Sequence, residues 1–198
     1  MYKTKISLFK SLFKSKDVPY LLNLDQVFKR IKEGKSKHII DNLKDDPSLK
    51  TKLPCIMFAG EFIERKKTGL KEHSGLMVLD FDKVPENDYK RLFDELKENK
   101  HIISLFRSPS RNGIKGIVHI PKCDAKEHEQ YFKEFVKDFN YDYLDLSGCN
   151  VDRVCFESYD PDIYINYKGL VYAPKLIEDG FNINEKVPLI PLSDESKI

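Results

Sequence analysis

One apolar run that ends in two acids constrains this chain more than any other feature. Residues 74–82 read SGLMVLDFD, which predicts a buried β-strand. Side chains on a strand alternate between its two faces, so Asp80 and Asp82 are expected on one face. Two carboxylates that share a buried face repel one another, and they need a cation, a proton or an arginine between them. The other interpretation is a strand end whose acids reach solvent or cap the next turn.

The elements around this strand predict a mixed α+β domain. Apolar runs and alternation predict strands at 2–13, 53–60, 74–82, 101–107, 114–121, 153–158 and 162–166. Helical spacing predicts helices at 24–32, 36–44, 85–100 and 124–139, the first ending at Gly34 and the last beginning at Asp124. Some strands are joined by turns and others by helices. We therefore expect a mixed, largely antiparallel sheet with flanking helices.

Length and charge favour one domain that binds a polyanion. The 198 residues divide into a domain at 1–174, with a basic lobe at about 1–50, and a linker or C-terminal tail at 175–198. Residues 1–37 hold ten lysines and arginines against three acids, whereas residues 140–163 hold six acids and one arginine. This asymmetry suits a protein that binds a polyanion and concentrates metal ions. A lysine-rich solvated surface is the alternative explanation.

The chain carries no sign of a membrane or secretory protein. It has no apolar run of 18 residues and no apolar core of a signal peptide, so we expect a cytoplasmic protein without a membrane partner. Its four cysteines are then reduced thiols. No two of them have CxxC spacing, so the spacing gives little support for a zinc site.

Two further segments carry candidate ligands for phosphate. The turn at 108–113, SPSRNG, offers Ser108, Ser110 and main-chain N–H groups, and Lys115 follows it. An ordinary hairpin turn would have the same composition. His119 shares a strand face with Lys115, and it either contacts a phosphate or the third acid or is a hydrogen-bonded core residue.

The acidic stretch adds a third carboxylate and an arginine. Asp145 offers a further metal ligand, and Arg153, eight residues later, suits a bidentate grip on phosphate. A plain ion pair between Asp145 and Arg153 is the alternative. Asp152 competes for either role.

Four stretches together resemble the archaeo-eukaryotic primase (PrimPol-like) superfamily. More narrowly, they resemble the VirE N-terminal-type primase-like domains of phage and mobile-element replication proteins. The stretches are Lys52–Phe62, His73–Asp82, Ser104–Ile120 and Asp145–Asn166. This resemblance implies an RRM-like version of the α+β fold.

The resemblance also implies a chemistry. Asp80, Asp82 and Asp145 would be catalytic and would bind two Mg²⁺ or Mn²⁺ ions, as in two-metal nucleotidyl transfer. The residues that would hold the nucleotide are Ser108, Ser110, Lys115, His119 and Arg153. Lys115 stands where most of the superfamily has histidine, and Arg111 stands where the turn usually has glycine.

The implied activity is that of a DNA primase or DNA polymerase. Its partners would be a single-stranded DNA template and nucleoside triphosphates, in a bacterial or phage-infected cell, with a helicase module downstream. Two alternatives stay open. One is a primase-fold module that binds nucleic acid with weak or lost synthesis, and the other is a metal-dependent nuclease.

Overall fold

Four α-helices flank the sheets in the part of the chain that the structure describes. A computed structural model describes residues 5–176, so residues 1–4 and most of the predicted tail at 175–198 lie outside the described residues. The helices are α1 (Leu24–Glu33), α2 (Lys37–Ile40), α3 (Glu86–Glu98) and α4 (Ala125–Phe139). Within the described part of the chain, none is long and apolar enough to cross a membrane.

Ten short strands make up the β structure of residues 5–176. They are β1 (Ile6–Phe9), β2 (Tyr20–Leu22), β3 (Cys55–Met57), β4 (Gly60–Phe62), β5 (Leu70–His73), β6 (Leu76–Phe81), β7 (Ile102–Arg107), β8 (Ile114–His119), β9 (Cys155–Phe156) and β10 (Tyr164–Ile165). The pairings among them are antiparallel. The predicted α+β class with antiparallel strands and flanking helices is therefore confirmed.

The strands form two four-stranded sheets and one hairpin. The first sheet has the order β2-β1-β3-β9, the second has the order β10-β7-β8-β6, and β4 pairs with β5. An apolar cluster joins the two sheets to α1, and its members include Ile6, Ile56, Val78, Ile117 and Phe28. The other face of the second sheet packs on α3 and α4 through a separate cluster that includes Leu79, Leu92 and Phe135. The second sheet is thus covered on both faces.

Helix ends follow the local sequence. Asn23 and Gln26 form a capping box at the start of α1, and Gly34 ends the helix with a positive φ of 70°. Asp124 caps α4 in the same way, with Glu127 as its partner. The predicted stop at Gly34 and the predicted cap at Asp124 are both confirmed.

The predicted strands are longer than the observed ones, and β2, β4 and β5 were not predicted as strands. The strand at 2–13 is reduced to β1, and the helix at 36–44 is reduced to the single turn of α2. Strand β2 is a three-residue edge strand whose residues are mostly exposed. Three residues are too few to show an alternating apolar pattern, although Leu22 packs against the core.

Candidate metal and nucleotide site

The site is built on a cross-strand pair of opposite charge. In the antiparallel register of β6 and β8, Asp80 lies directly opposite Lys115. Both are buried, with 8% and 7% of their surface exposed, on the face of the second sheet that meets the first. The Lys115 ammonium forms an ion pair with Asp80 Oδ1. A buried lysine therefore neutralises the first of the predicted catalytic acids.

Main-chain hydrogen bonds place Asp145 beside Asp80. The segment after α4 runs antiparallel to the end of β6, with a bridge between Phe81 and Leu144. The Asp145 N–H donates to the Asp80 carbonyl at 2.8 Å, and the Asp82 N–H donates to the Tyr143 carbonyl at 3.1 Å. The position of Asp145 is thus fixed by hydrogen bonds to the strand that carries Asp80.

Asp145 is held in its ionised form. It begins the 3-10 turn Leu146–Cys149, where its Oδ1 accepts from the Ser147 N–H at 2.9 Å and the Ser147 hydroxyl at 2.7 Å. Desolvation raises the pKa of Asp145, but these hydrogen bonds and Arg153 outweigh it, and the net pKa is lowered.

Arg153 bridges two of the carboxylates. Its Nη2 donates to Asp80 Oδ2 at 3.3 Å and also to Asp145 Oδ2. Desolvation lowers the pKa of Arg153, but the two carboxylates outweigh it and raise the net pKa. The ion pair between Asp145 and Arg153 that the sequence left open is present, and it extends to Asp80.

Asp82 is the third carboxylate of the cluster. It follows the end of β6 and is exposed. Desolvation first, and the charge of Asp80 second, raise the pKa of Asp82. Carboxylate oxygens of Asp80, Asp82 and Asp145 all lie within 4.8 Å of one another. Hard oxygen donors at this spacing fit Mg²⁺ or Mn²⁺. In the described part of the chain, Asp152 does not join this group.

The loop at 108–113 closes the same end of the sheet. A Cβ on Gly113 would lie 2.4 Å from the Phe81 carbonyl oxygen, so only glycine lets the loop pack against β6. Arg111 has a positive φ of 67°, a conformation that favours glycine. Ser108 is buried, and its Oγ has no hydrogen-bond partner among the described residues, whereas Ser110 is exposed.

His119 does not reach this cluster. It lies opposite Leu76, at the far end of β8 from Lys115. Four residues of strand separate the two by about 13 Å. The expectation that His119 contacts the third acid is therefore wrong, because a shared strand face does not imply a shared end.

Sequence reasoning missed two arginine–aromatic pairs near the loop. The Arg107 guanidinium lies 3.9 Å from the centre of the Tyr89 ring, and that of Arg111 lies 5.4 Å from the centre of the Tyr159 ring. The Arg111 side chain also donates to the Tyr159 carbonyl at 3.0 Å. Each pair joins segments that are distant in the sequence, so no local sequence pattern predicts it.

Comparison with known proteins places the chain in a family. Residues 48–165, more than half of the chain, match the family described as BT4734-like, N-terminal domain. This chain belongs to the BT4734-like N-terminal domain family. The match spans the whole cluster from Asp80 to Arg153, whereas β1, β2, α1 and α2 precede it.

Among solved structures, the BT4734-like domain is similar to the AEP domain of the cyanophage S-2L primase-polymerase (PrimPol). The two are 8% identical, with a TM-score of 0.46, over 87% of this chain and 85% of that chain. No curated protein sequence matches this chain.

Proposed function

We propose that this domain transfers nucleotides to a growing DNA strand on a single-stranded template, as a DNA primase or polymerase. The observation that carries the proposal is the convergence of Asp80, Asp82 and Asp145 within 4.8 Å, with Arg153 bound to two of them. The sequence resemblance to archaeo-eukaryotic primases, narrowly to the VirE N-terminal type, adds support. It also suggests a phage or mobile-element replication protein with a downstream helicase.

The three carboxylates would hold two Mg²⁺ or Mn²⁺ ions, which supply Lewis acidity for attack by a 3′-hydroxyl and for departure of pyrophosphate. Arg153 then has a second role, because its guanidinium suits triphosphate oxygens as well as carboxylates. Lys115 stays on Asp80 as a fixed positive charge. Ser108, Ser110 and the loop main chain would contact phosphate, whereas a nucleotide contact of His119, at the far end of β8 from Lys115, stays a prediction.

A gel assay tests this proposal directly. The purified chain is incubated with single-stranded DNA, the four nucleotides and Mn²⁺, with and without a primer. New strands without a primer identify a primase, and extension only with a primer identifies a polymerase. The test variant is Asp82→Asn, which removes an exposed carboxylate proposed to bind metal and is expected to abolish synthesis. Synthesis by Asp82→Asn at the wild-type rate would contradict a role for the carboxylate cluster.

One observation favours a second candidate, a primase-fold module that binds nucleic acid with weak or lost synthesis. Lys115 and Arg153 both contact Asp80, so two of the three negative charges in the cluster are already offset. In that case the gel assay gives no product although DNA binds, and Lys115→His is expected to increase synthesis. Shortened rather than lengthened strands would instead indicate a nuclease.

A further inference from the structure

A second group of metal-binding side chains lies at the opposite end of β6 from Asp80. It consists of His73 at the end of β5, Cys123 just before α4, and His128 within α4. His73 Nε2 lies 3.0 Å from His128 Nδ1 and 3.7 Å from Cys123 Sγ. One ligand atom from each residue lies within 4.8 Å of the other two. Two distant segments of the chain, 70–73 and 123–128, therefore direct nitrogen and sulfur donors to one point.

We propose that His73, Cys123 and His128 form a second metal site, which takes Zn²⁺ or a similar borderline divalent cation. Imidazole nitrogen and thiolate sulfur suit such an ion, whereas they are poor ligands for Mg²⁺. With Zn–N of about 2.05 Å and Zn–S of about 2.3 Å, tetrahedral ligand atoms lie roughly 3.3 to 3.6 Å apart. The observed separations of 3.0 and 3.7 Å differ from these by a few tenths of an ångström.

The surrounding structure fixes the donors in place. His73 is held by the pairing of β5 with β4, opposite Gly60. The capping box of Asp124 immediately follows Cys123, and the Asp124 carbonyl accepts from the His128 N–H at 3.0 Å. His73 and His128 are 6% and 3% exposed, whereas Cys123 is only partly buried. An ion could enter on the cysteine side and keep a position for water there.

Both histidines are neutral, as metal ligands must be. Burial lowers the pKa of His73 to about 4, and burial together with His73 lowers that of His128 to about 3. The Gly75 N–H donates to His73 Nδ1 at 3.0 Å, so the His73 proton is on Nε2 and is donated to His128 Nδ1. Without a metal, the two rings thus form a hydrogen-bonded pair.

Metal binding rearranges these protons without loss or gain of electrons. The His73 proton moves from Nε2 to Nδ1, and the Cys123 thiol releases its proton to solvent. Bonds then form from the ion to His73 Nε2, His128 Nδ1 and Cys123 Sγ, and the hydrogen bond from Gly75 is lost. Because of that loss and the missing fourth side chain, we expect weaker binding than at a four-ligand structural zinc site.

Cobalt titration of the metal-free full chain tests the site. We expect a thiolate-to-cobalt charge-transfer band and the intense visible bands of a tetrahedral ion, and both should disappear when Zn²⁺ is added. The aspartate cluster cannot produce a thiolate band. This readout therefore does not depend on the proposed nucleotidyl transfer, and either proposal can fail alone.

Matched variants complete the test. Cys123→Ser should abolish the thiolate band and His128→Gln should weaken the cobalt binding read from that band at least tenfold, whereas Cys149→Ser, at a half-buried cysteine outside the cluster, should not change it. Zn²⁺ should raise the thermal midpoint of the wild type and not that of Cys123→Ser, with circular dichroism confirming that the variant folds. No thiolate band in the wild type, or the same band in Cys123→Ser, would overturn the proposal.

Discussion

Arg153→Gln is expected to change metal binding and nucleotide binding in opposite directions. In the nucleotide-free protein, the Arg153 guanidinium binds Asp80 and Asp145, two of the three carboxylates proposed to hold metal. Removing its charge leaves Lys115 as the cation bound to Asp80 within this cluster. The carboxylates then attract a divalent ion more strongly. A nucleotide loses the side chain proposed to bind its triphosphate.

The size of the effect follows from Coulomb's law. Unit charges about 4 Å apart interact by about 1 kcal/mol in water and about 4 kcal/mol at the effective dielectric constant of a protein surface. The Arg153 side chain is 28% exposed, so its environment lies between these limits. We therefore expect Mn²⁺ to bind Arg153→Gln more tightly by roughly 1 to 3 kcal/mol, which is about 5- to 150-fold.

Calorimetric titration measures both affinities. Mn²⁺ is titrated into the wild type and into Arg153→Gln without nucleotide, and a nucleoside triphosphate is then titrated in the presence of Mn²⁺. Arg91→Gln on α3 is the matched control, because Arg91 pairs with Asp88, Glu95 and Asp142 outside the cluster. Unchanged or weaker Mn²⁺ binding by Arg153→Gln would refute the view that this arginine competes with metal.

Three further predictions concern stability. Asp80→Asn leaves Lys115 buried without its partner and should lower the free energy of unfolding by about 3 to 5 kcal/mol in urea denaturation; an unchanged midpoint would contradict the ion pair. Asp82→Asn should instead raise stability at neutral pH, because the raised pKa of Asp82 means that its charged form disfavours folding. This difference is present above the folded pKa and should vanish as pH falls below the ordinary aspartate value of about 4; a constant difference at all pH values would count against it. Glu157→Gln weakens the bidentate pair between Arg30 and the fully buried Glu157, with an expected loss of roughly 3 kcal/mol, and a loss below about 0.5 kcal/mol would show that the pair is not needed.

Much of the fold could be predicted because its signals are local. The apolar run before Asp80, the helical spacing of α1, α3 and α4, and the caps at Gly34 and Asp124 all lie within a few residues of the element they define. The short edge strand β2 could not be predicted, because three residues are too few to show an alternating pattern and its pairing with β1 depends on main-chain hydrogen bonds. The division of the strands between two sheets could not be predicted either, because many strands that pair are distant in the sequence.

For the candidate site too, the residue types could be predicted from the sequence but their contacts could not. Residue type and spacing in the sequence are enough to name the candidate side chains, which are Asp80, Asp82, Asp145, Lys115 and Arg153. Which of these side chains meet depends on the folded chain. The register of β6 with β8 places Lys115 on Asp80 and His119 at the other end of the sheet. Pairing between distant segments also brings together His73, Cys123 and His128. Side-chain chemistry is a property of one residue, whereas proximity depends on how distant segments of the chain pair and pack.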